Sequence, residues 1–247
     1  MKEHKIPGVY DVDTRMLTKL LREKGTMLGK IIINEQDVDF YDPNESNLVD
    51  LVSIKKKEVY GSGSFKILLL DCGVKYNIIR CLLELDTTVI RVPWNYNFLN
   101  EEYDGLFISN GPGDPKKCDD AIRNLAIAFK DDKPIFGICL GNQLMALASG
   151  ADTYKLKYGH RSHNQPVLQY RTERAFVTSQ NHGYAINNNT LVKDWSPLFI
   201  NLNDNTNEGM IHKTKPFFST QFHPEASGGP TDTAFLFQHF INLIRKH

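Results

Sequence analysis

The chain has 247 residues, 41% of them hydrophobic, and its 29 basic side chains are balanced by 29 acidic ones, for a formal net charge of zero. That content suffices for one ordinary domain plus a small second element, and the charge balance argues against a nucleic-acid or anionic-membrane partner. No apolar run approaches membrane-spanning length, no signal peptide opens the sequence, and Cys72, Cys81, Cys118 and Cys139 show no disulfide or metal-ligand spacing, so free thiols in a reducing compartment are expected.

In chain order, residues 13–24 are predicted to form an amphipathic helix with Met16, Leu17, Leu20 and Leu21 on one side, Thr14 available for capping and Gly25 as a stop. Residues 28–33 read as a strand. Residues 43–57 turn polar and end in the solvated run Lys55-Lys56-Lys57, and residues 60–64 (Tyr-Gly-Ser-Gly-Ser) read as a flexible connector. From Lys66 strands alternate with helices: strands at 66–72, 87–93, 105–110 and 134–138, helices at 75–85 and 119–130. That alternation predicts a parallel α/β sheet with its site at the strand C-termini. Residues 165–222 read as short antiparallel strands, and 231–244 as a closing helix. Cys72 and Cys81 lie in apolar runs and read as core; Cys118, in a polar stretch, reads as surface.

Three motifs carry chemistry. Residues 137–141, Gly-Ile-Cys-Leu-Gly, join a buried strand to an apolar helix over 140–149, the cysteine form of a nucleophile elbow. There the helix N-terminus lowers a thiol pKa and offers N–H groups to an oxyanion. A strand over 217–222 runs into His223-Pro224-Glu225, where residues two apart point the same way, so Glu225 can orient the His223 ring. Residues 111–115, Gly-Pro-Gly-Asp-Pro, follow another strand and form a rigid turn whose N–H groups suit an anion.

These motifs in this order resemble the class I, triad-type glutamine amidotransferases, and within them the glutaminase region of carbamoyl phosphate synthetase. The match runs from about Val12 to the C-terminus and takes in Asp13-Thr14-Arg15, Asp71-Cys72-Gly73, residues 109–115, Gln180-Asn181-His182-Gly183-Tyr184 and residues 221–225. The animal urea-cycle branch is the most similar. Some of its members have lost the cysteine and use free ammonia, whereas this chain keeps Cys139. Many glutamine-using relatives carry His where Asn142 stands here; Asn142 belongs to no catalytic step and is expected to tune activity.

The resemblance implies an α/β fold with a mostly parallel central sheet and flanking helices, plus part of a small N-terminal domain. Residues 1–60 would be the incomplete later part of that domain, and 65–247 the glutaminase. It also implies a catalytic Cys139, His223 and Glu225, with oxyanion N–H groups from Leu140 and Gly111. Gly113, Gln143, Asn181, Gly183 and Tyr184 would hold the substrate. Read without the family, Tyr184 is equally a packed strand aromatic, and Asn181 and Gly183 a simple turn. His182 has no evident partner and reads as structural.

His160 and His163 flank Arg161 in what reads as a solvated loop, so no metal is expected. The expected partners are L-glutamine and a carbamoyl phosphate synthetase large subunit or fused synthetase domain, with no nucleic acid and no membrane. No cofactor is expected in this chain, since ATP and bicarbonate belong to the synthetase. The compartment would be cytoplasm or mitochondrial matrix. The competing readings are a non-catalytic module of an ammonia-dependent synthetase, the glutaminase of another amidotransferase, and a γ-glutamyl peptidase of related fold.

Overall fold

The computed structural model describes residues 1–3 and 5–247, and the chain parts into two compact units, Met1–Asp42 and Pro43–His247. The division falls after Asp42 rather than near residue 60. Residues 43–60 supply a short helix α2 (Leu48–Val52), whose Val49 is buried in the main core, and an edge strand β1 (Glu58–Tyr60) of the large unit's sheet.

The small unit carries helix α1 (Thr14–Lys24). Asp13 caps it, its carboxylate accepting the Met16 N–H at 2.8 Å, so Thr14 is the first helical residue rather than the cap. Gly25 ends the helix at φ 89°. The strand expected at 28–33 does not form. Only an isolated Ile33–Gln36 bridge is found there, because a strand needs a partner edge and none lies within this unit among the described residues.

In the large unit the strands are β2 (Phe65–Asp71), β3 (Thr87–Pro93), β4 (Gly105–Ile108), β5 (Ile135–Ile138), β6 (Thr153–Gln169), β7 (Ala175–Ile186), β8 (Trp195–Asn201), β9 (Asn207–His212) and β10 (Phe217–Thr220). With β1 they make one ten-stranded sheet in the order β1-β3-β2-β4-β5-β10-β9-β8-β6-β7. From β3 to β10 the pairing is parallel; from β10 to β7 it is antiparallel. The antiparallel extension is not made of short strands throughout, since β6 and β7 span 17 and 12 residues.

The parallel strands read as continuous apolar runs because both faces are covered. On one face Leu68, Leu70, Leu106, Ile108 and Ile135 pack with α4 (Asp119–Ala128) and α5 (Leu140–Ser149) through Ala121, Leu125, Leu144 and Met145. On the other, Ile67, Leu69, Phe107, Phe136 and Ile138 meet α3 (Tyr76–Leu83) and α6 (Phe235–Ile244). Phe107, Phe136, Phe237 and Phe240 lock this face edge-to-face and stacked, with Phe107 and Phe136 centroids 5.0 Å apart.

Two local expectations fail in this unit. Residues 60–64 are no flexible connector. Gly63 donates its N–H to the Thr87 carbonyl at 3.2 Å and accepts the Thr88 hydroxyl at 2.8 Å, and a Cβ on it would sit 2.2 Å from the Asp86 carbonyl carbon. Cys118, the N-cap residue of α4, is fully buried, and desolvation pushes its thiol up to about 12. Its polar sequence neighbours hide this, because the residues covering it come from elsewhere in the chain. Cys72 is buried as expected; Cys81 is half-buried.

Candidate active site

The parallel strands deliver their C-terminal ends to one edge of the sheet, and a cavity of about 360 Å³ lies there. Cys139 is among the residues that line it. The residue has φ 56° and ψ −100°, a conformation costly for a side-chain-bearing residue, and it stands directly before α5. Close packing of α5 against the strands holds it so. A Cβ on Gly141 would meet the Ile108 carbonyl oxygen at 2.3 Å, and one on Gly137 would meet the Met145 sulfur at 2.7 Å. Both elbow glycines are therefore steric requirements.

The histidine arrives by strand pairing. β5 and β10 are parallel and in register from Ile135–Phe217 to Ile138–Thr220, so the segment after Thr220 emerges beside the elbow. His223 is buried, and its Nδ1 donates to Glu225 Oε1 at 2.7 Å. Burial alone would lower the His223 pKa, but the Cys139 sulfur and the Glu225 carboxylate outweigh it and hold the ring up at about 9. Burial conversely raises the Glu225 carboxyl, and His223 and Lys75 outweigh it to leave the carboxyl below its usual value. Lys75 Nζ lies 3.2 Å from His223 Nδ1 and 3.5 Å from Glu225 Oε1. Sequence reading missed it, because Lys75 approaches from the β2–α3 turn, far away in the chain.

Gly111, Gly113, Gln143, Asn181, Gly183 and Tyr184 line the same cavity. Leu140 presents the first N–H of α5, and neither it nor the Gly111 N–H finds an acceptor among the described residues. Gly111 must be glycine, since a Cβ there would lie 2.2 Å from the Cys72 carbonyl oxygen. Asn181 and Gly183 are no turn; they sit in mid-β7, and the Asn181 carbonyl is 4.0 Å from Cys139 Sγ. Gln143 donates to the Tyr184 carbonyl at 2.9 Å and to Gln221 Oε1 at 3.0 Å, so its amide ties α5 to the cavity wall. Asn142 faces away from the cavity. It is fully buried, accepts the Ser219 hydroxyl at 2.7 Å and donates to Gln221 Oε1 at 3.1 Å.

Comparison with known proteins gives this geometry its family. The model described as "Glutamine amidotransferase class-I" matches residues 68–243. The chain belongs to the class-I glutamine amidotransferases. Residues 1–31 of this amidotransferase also match the model "Carbamoyl-phosphate synthase small chain, CPSase domain". It is 53% identical over 251 residues to the Multifunctional protein CAD of Squalus acanthias, covering 99% of this chain and 11% of that one. It is 51% identical over 249 residues to the mitochondrial carbamoyl-phosphate synthase (ammonia) of Homo sapiens, covering 100% and 16%.

Against the carbamoyl phosphate synthase arginine-specific small chain of Debaryomyces hansenii it is 51% identical over 257 residues, covering 98% and 60%. The amidotransferase thus spans less than two thirds of these relatives' length. A solved structure from Thermoplasma acidophilum, described as one subunit of a GMP synthase, matches at 25% identity and TM-score 0.65, over 75% of this chain and 96% of that one. A glutamine amidotransferase from Thermotoga maritima, 17% identical with TM-score 0.56 over 74% and 85%, shares the fold.

Three histidines read from the sequence as loop residues or as lacking a partner, His160, His163 and His182, lie in paired strands. His160 is not in a loop. It lies on β6 opposite His182 of β7, with the rings 4.8 Å apart. His182 does have partners: its Nδ1 is 2.9 Å from the Tyr184 carbonyl oxygen and its Nε2 3.2 Å from Gln180 Oε1. His163 pairs with the Ser179 hydroxyl at 2.9 Å. No local signal in the sequence announces these contacts, since they depend on the register of a long hairpin and on β9.

Proposed function

We propose that this chain hydrolyses the side-chain amide of L-glutamine to glutamate and ammonia. The ammonia would serve carbamoyl phosphate formation by a synthetase large subunit or fused synthetase domain. The observation that carries the reading is the strained Cys139 elbow facing a His223 ring held at 2.7 Å by Glu225. The cavity lining includes the cations Lys75 and Arg161 and no acidic side chain, which suits an amino acid entering with its carboxylate.

In this reading the Cys139 thiolate attacks the glutamine amide carbon while His223 holds the proton. The N–H groups of Leu140 and Gly111 receive the oxyanion, helped by the α5 dipole. The C–N bond then breaks, His223 gives its proton to the departing nitrogen, and ammonia leaves a γ-glutamyl thioester on Cys139. Water, deprotonated by His223, cleaves the thioester, restoring the thiolate and releasing glutamate. Glu225 keeps the ring oriented throughout, and Gly113, Gln143, Asn181, Gly183 and Tyr184 hold the substrate's ends.

The chain needs no cofactor for these steps, and ATP and bicarbonate are assigned to the synthetase. We read residues 1–60 as the later part of the small N-terminal domain, supported by the match at residues 1–31. The assigned compartment is intracellular, cytoplasm or mitochondrial matrix, a reading that rests on the free thiols and on a relative named as mitochondrial. Among the described residues no helix is long and apolar enough to cross a membrane.

The test is covalent labelling with a glutamine-mimicking electrophile, read by peptide mass spectrometry. A label on Cys139, blocked by excess glutamine and absent in His223→Ala, supports an assembled glutaminase site. A folded chain whose Cys139 stays unlabelled supports a non-catalytic module of an ammonia-using synthetase, the reading favoured by the name of the 51% identical human relative.

A further inference from the structure

Next to the cavity lining of Asn181, His182 and Gly183, four polar groups converge within the antiparallel sheet. They are His160 of β6, Gln180 and His182 of β7, and Glu208 of β9. The His182 and Glu208 side chains are 1% and 0% exposed, and that of His160 is 12% exposed. His160 Nδ1 lies 2.8 Å from Gln180 Oε1 and 3.1 Å from Glu208 Oε1, and His182 Nε2 lies 3.2 and 3.6 Å from the same two oxygens.

The hydrogen-bond inventory decides which atoms are bare. Thr178 gives its hydroxyl proton to the Gln165 carbonyl at 2.9 Å, so toward Gln180 it can only accept. Gln180 therefore donates Nε2–H to Thr178 Oγ1 at 3.1 Å and turns Oε1 toward the histidines. His182 Nδ1 faces the Tyr184 carbonyl oxygen and must carry the proton, which leaves Nε2 as a lone pair aimed at two oxygens. His160 Nε2 faces Asp204 Oδ2 at 2.8 Å, so Nδ1 is the nitrogen turned toward Gln180 and Glu208. Burial lowers the His160 pKa, but Glu208 and Asp204 outweigh it and hold the ring up at about 9, so an ion there would displace the Nδ1 proton. Glu208 Oε2, fully buried, has no hydrogen-bond partner among the described residues. Two ring nitrogens and two side-chain oxygens thus converge on one space, with Asn201 Nδ2 at 3.4 Å from both His160 Nδ1 and Glu208 Oε1.

We propose that His160 Nδ1, His182 Nε2, Glu208 and Gln180 Oε1 form a structural site for a divalent first-row metal ion, best suited to Zn2+. Two imidazoles, one carboxylate and one amide oxygen form a borderline set of the kind Zn2+ takes. Bonds of about 2.0–2.2 Å in a tetrahedron set ligand atoms about 3.3–3.6 Å apart; the nitrogen–oxygen separations here run from 2.8 to 3.6 Å, and the ligand atoms of His160, His182 and Glu208 all lie within 4.8 Å of one another. Each histidine turns its other ring nitrogen to an oxygen acceptor, Asp204 for His160 and the Tyr184 carbonyl for His182, the arrangement that fixes metal-binding tautomers. The site ties β6, β7 and β9 together next to the residues that line the cavity. It does not depend on the glutaminase reading.

The test is metal content. Full-length chain is stripped with a chelator, loaded with ZnCl2, desalted and measured by elemental analysis, alongside a Co2+-loaded sample for visible absorption. The expected result is stoichiometric zinc, a strong tetrahedral Co2+ spectrum, a raised melting temperature, and near-complete loss of uptake in the isosteric Glu208→Gln. Asp204→Asn, in a turn outside the ligand set, should weaken zinc by ~10–100-fold. Cys139→Ser should keep the ion, and loss of uptake there would move the site to the thiol and overturn the proposal. A wild-type chain that retains no zinc, with both ring nitrogens of His182 protonated by 15N NMR, would equally overturn it: the cation would then be a proton.

Discussion

The Cys139 N–H donates to the Thr220 carbonyl at 2.7 Å, three residues before His223. That bond extends the β5–β10 pairing by one step beyond Ile138–Thr220. The strand that ends in the nucleophile is thereby zipped to the strand that leads into the base, and their meeting point is set by backbone register.

A pH profile follows from the His223 environment. With the ring held protonated up to about 9, the imidazolium beside Cys139 persists through neutral pH. Because the folded-state pKa is raised, the stability this contact contributes is fully present below about 6.5 and is lost as pH rises through about 9. Glutamine hydrolysis should therefore fall on the alkaline side near that value. In Glu225→Gln the alkaline limb should move toward lower pH, and an unmoved limb would remove Glu225 from its orienting role.

Gly141→Ala should fail sterically rather than chemically. The added methyl would stand 2.3 Å from the Ile108 carbonyl oxygen, and backbone cannot move aside cheaply. We expect a loss of ~1–3 kcal/mol in urea unfolding, with labelling of Cys139 lost in parallel. Wild-type stability in this variant would mean that α5 can ride away from β4.

Asn142 is a buried linchpin outside the cavity, so its removal should act on stability. Asn142→Ala removes the 2.7 Å acceptor of the Ser219 hydroxyl, leaving it the longer Met210 carbonyl contact at 3.4 Å, and should cost ~1–3 kcal/mol. Cys139 labelling at a temperature well below the new midpoint should remain. Asn142→His should leave glutamine turnover within a few-fold of wild type, measured by glutamate release.

Burial and, at Cys139, the neighbouring His223 imidazolium together separate the four cysteines. Cys72 and Cys118 are fully buried, and desolvation raises both thiols, Cys118 to about 12. Under native conditions a short iodoacetamide exposure should label Cys139 first and half-buried Cys81 slowly, leaving Cys72 and Cys118 for denaturant. Early labelling of Cys118 would mean that α4 opens locally.

The elbow at Cys139, the strand–helix alternation from Lys66 and the His223–Glu225 pair were legible in the sequence because each is a local pattern. Glycines at fixed offsets permit one turn, apolar runs mark covered strands, and residues two apart in an extended segment share a face. Other features depend on partners remote in sequence. Residues 28–33 have strand composition but no edge to pair with, residues 60–64 have linker composition but lie against β3, and Cys118 has polar neighbours but a core site. Lys75 beside Glu225, and His160 and His182 beside Glu208, meet only once strands far apart in the chain pair in register. The sequence alone thus determined which side chains could do chemistry, since short-range sterics select them. Which of them share one desolvated space was decided by the tertiary structure, because burial and proximity are properties of the whole sheet.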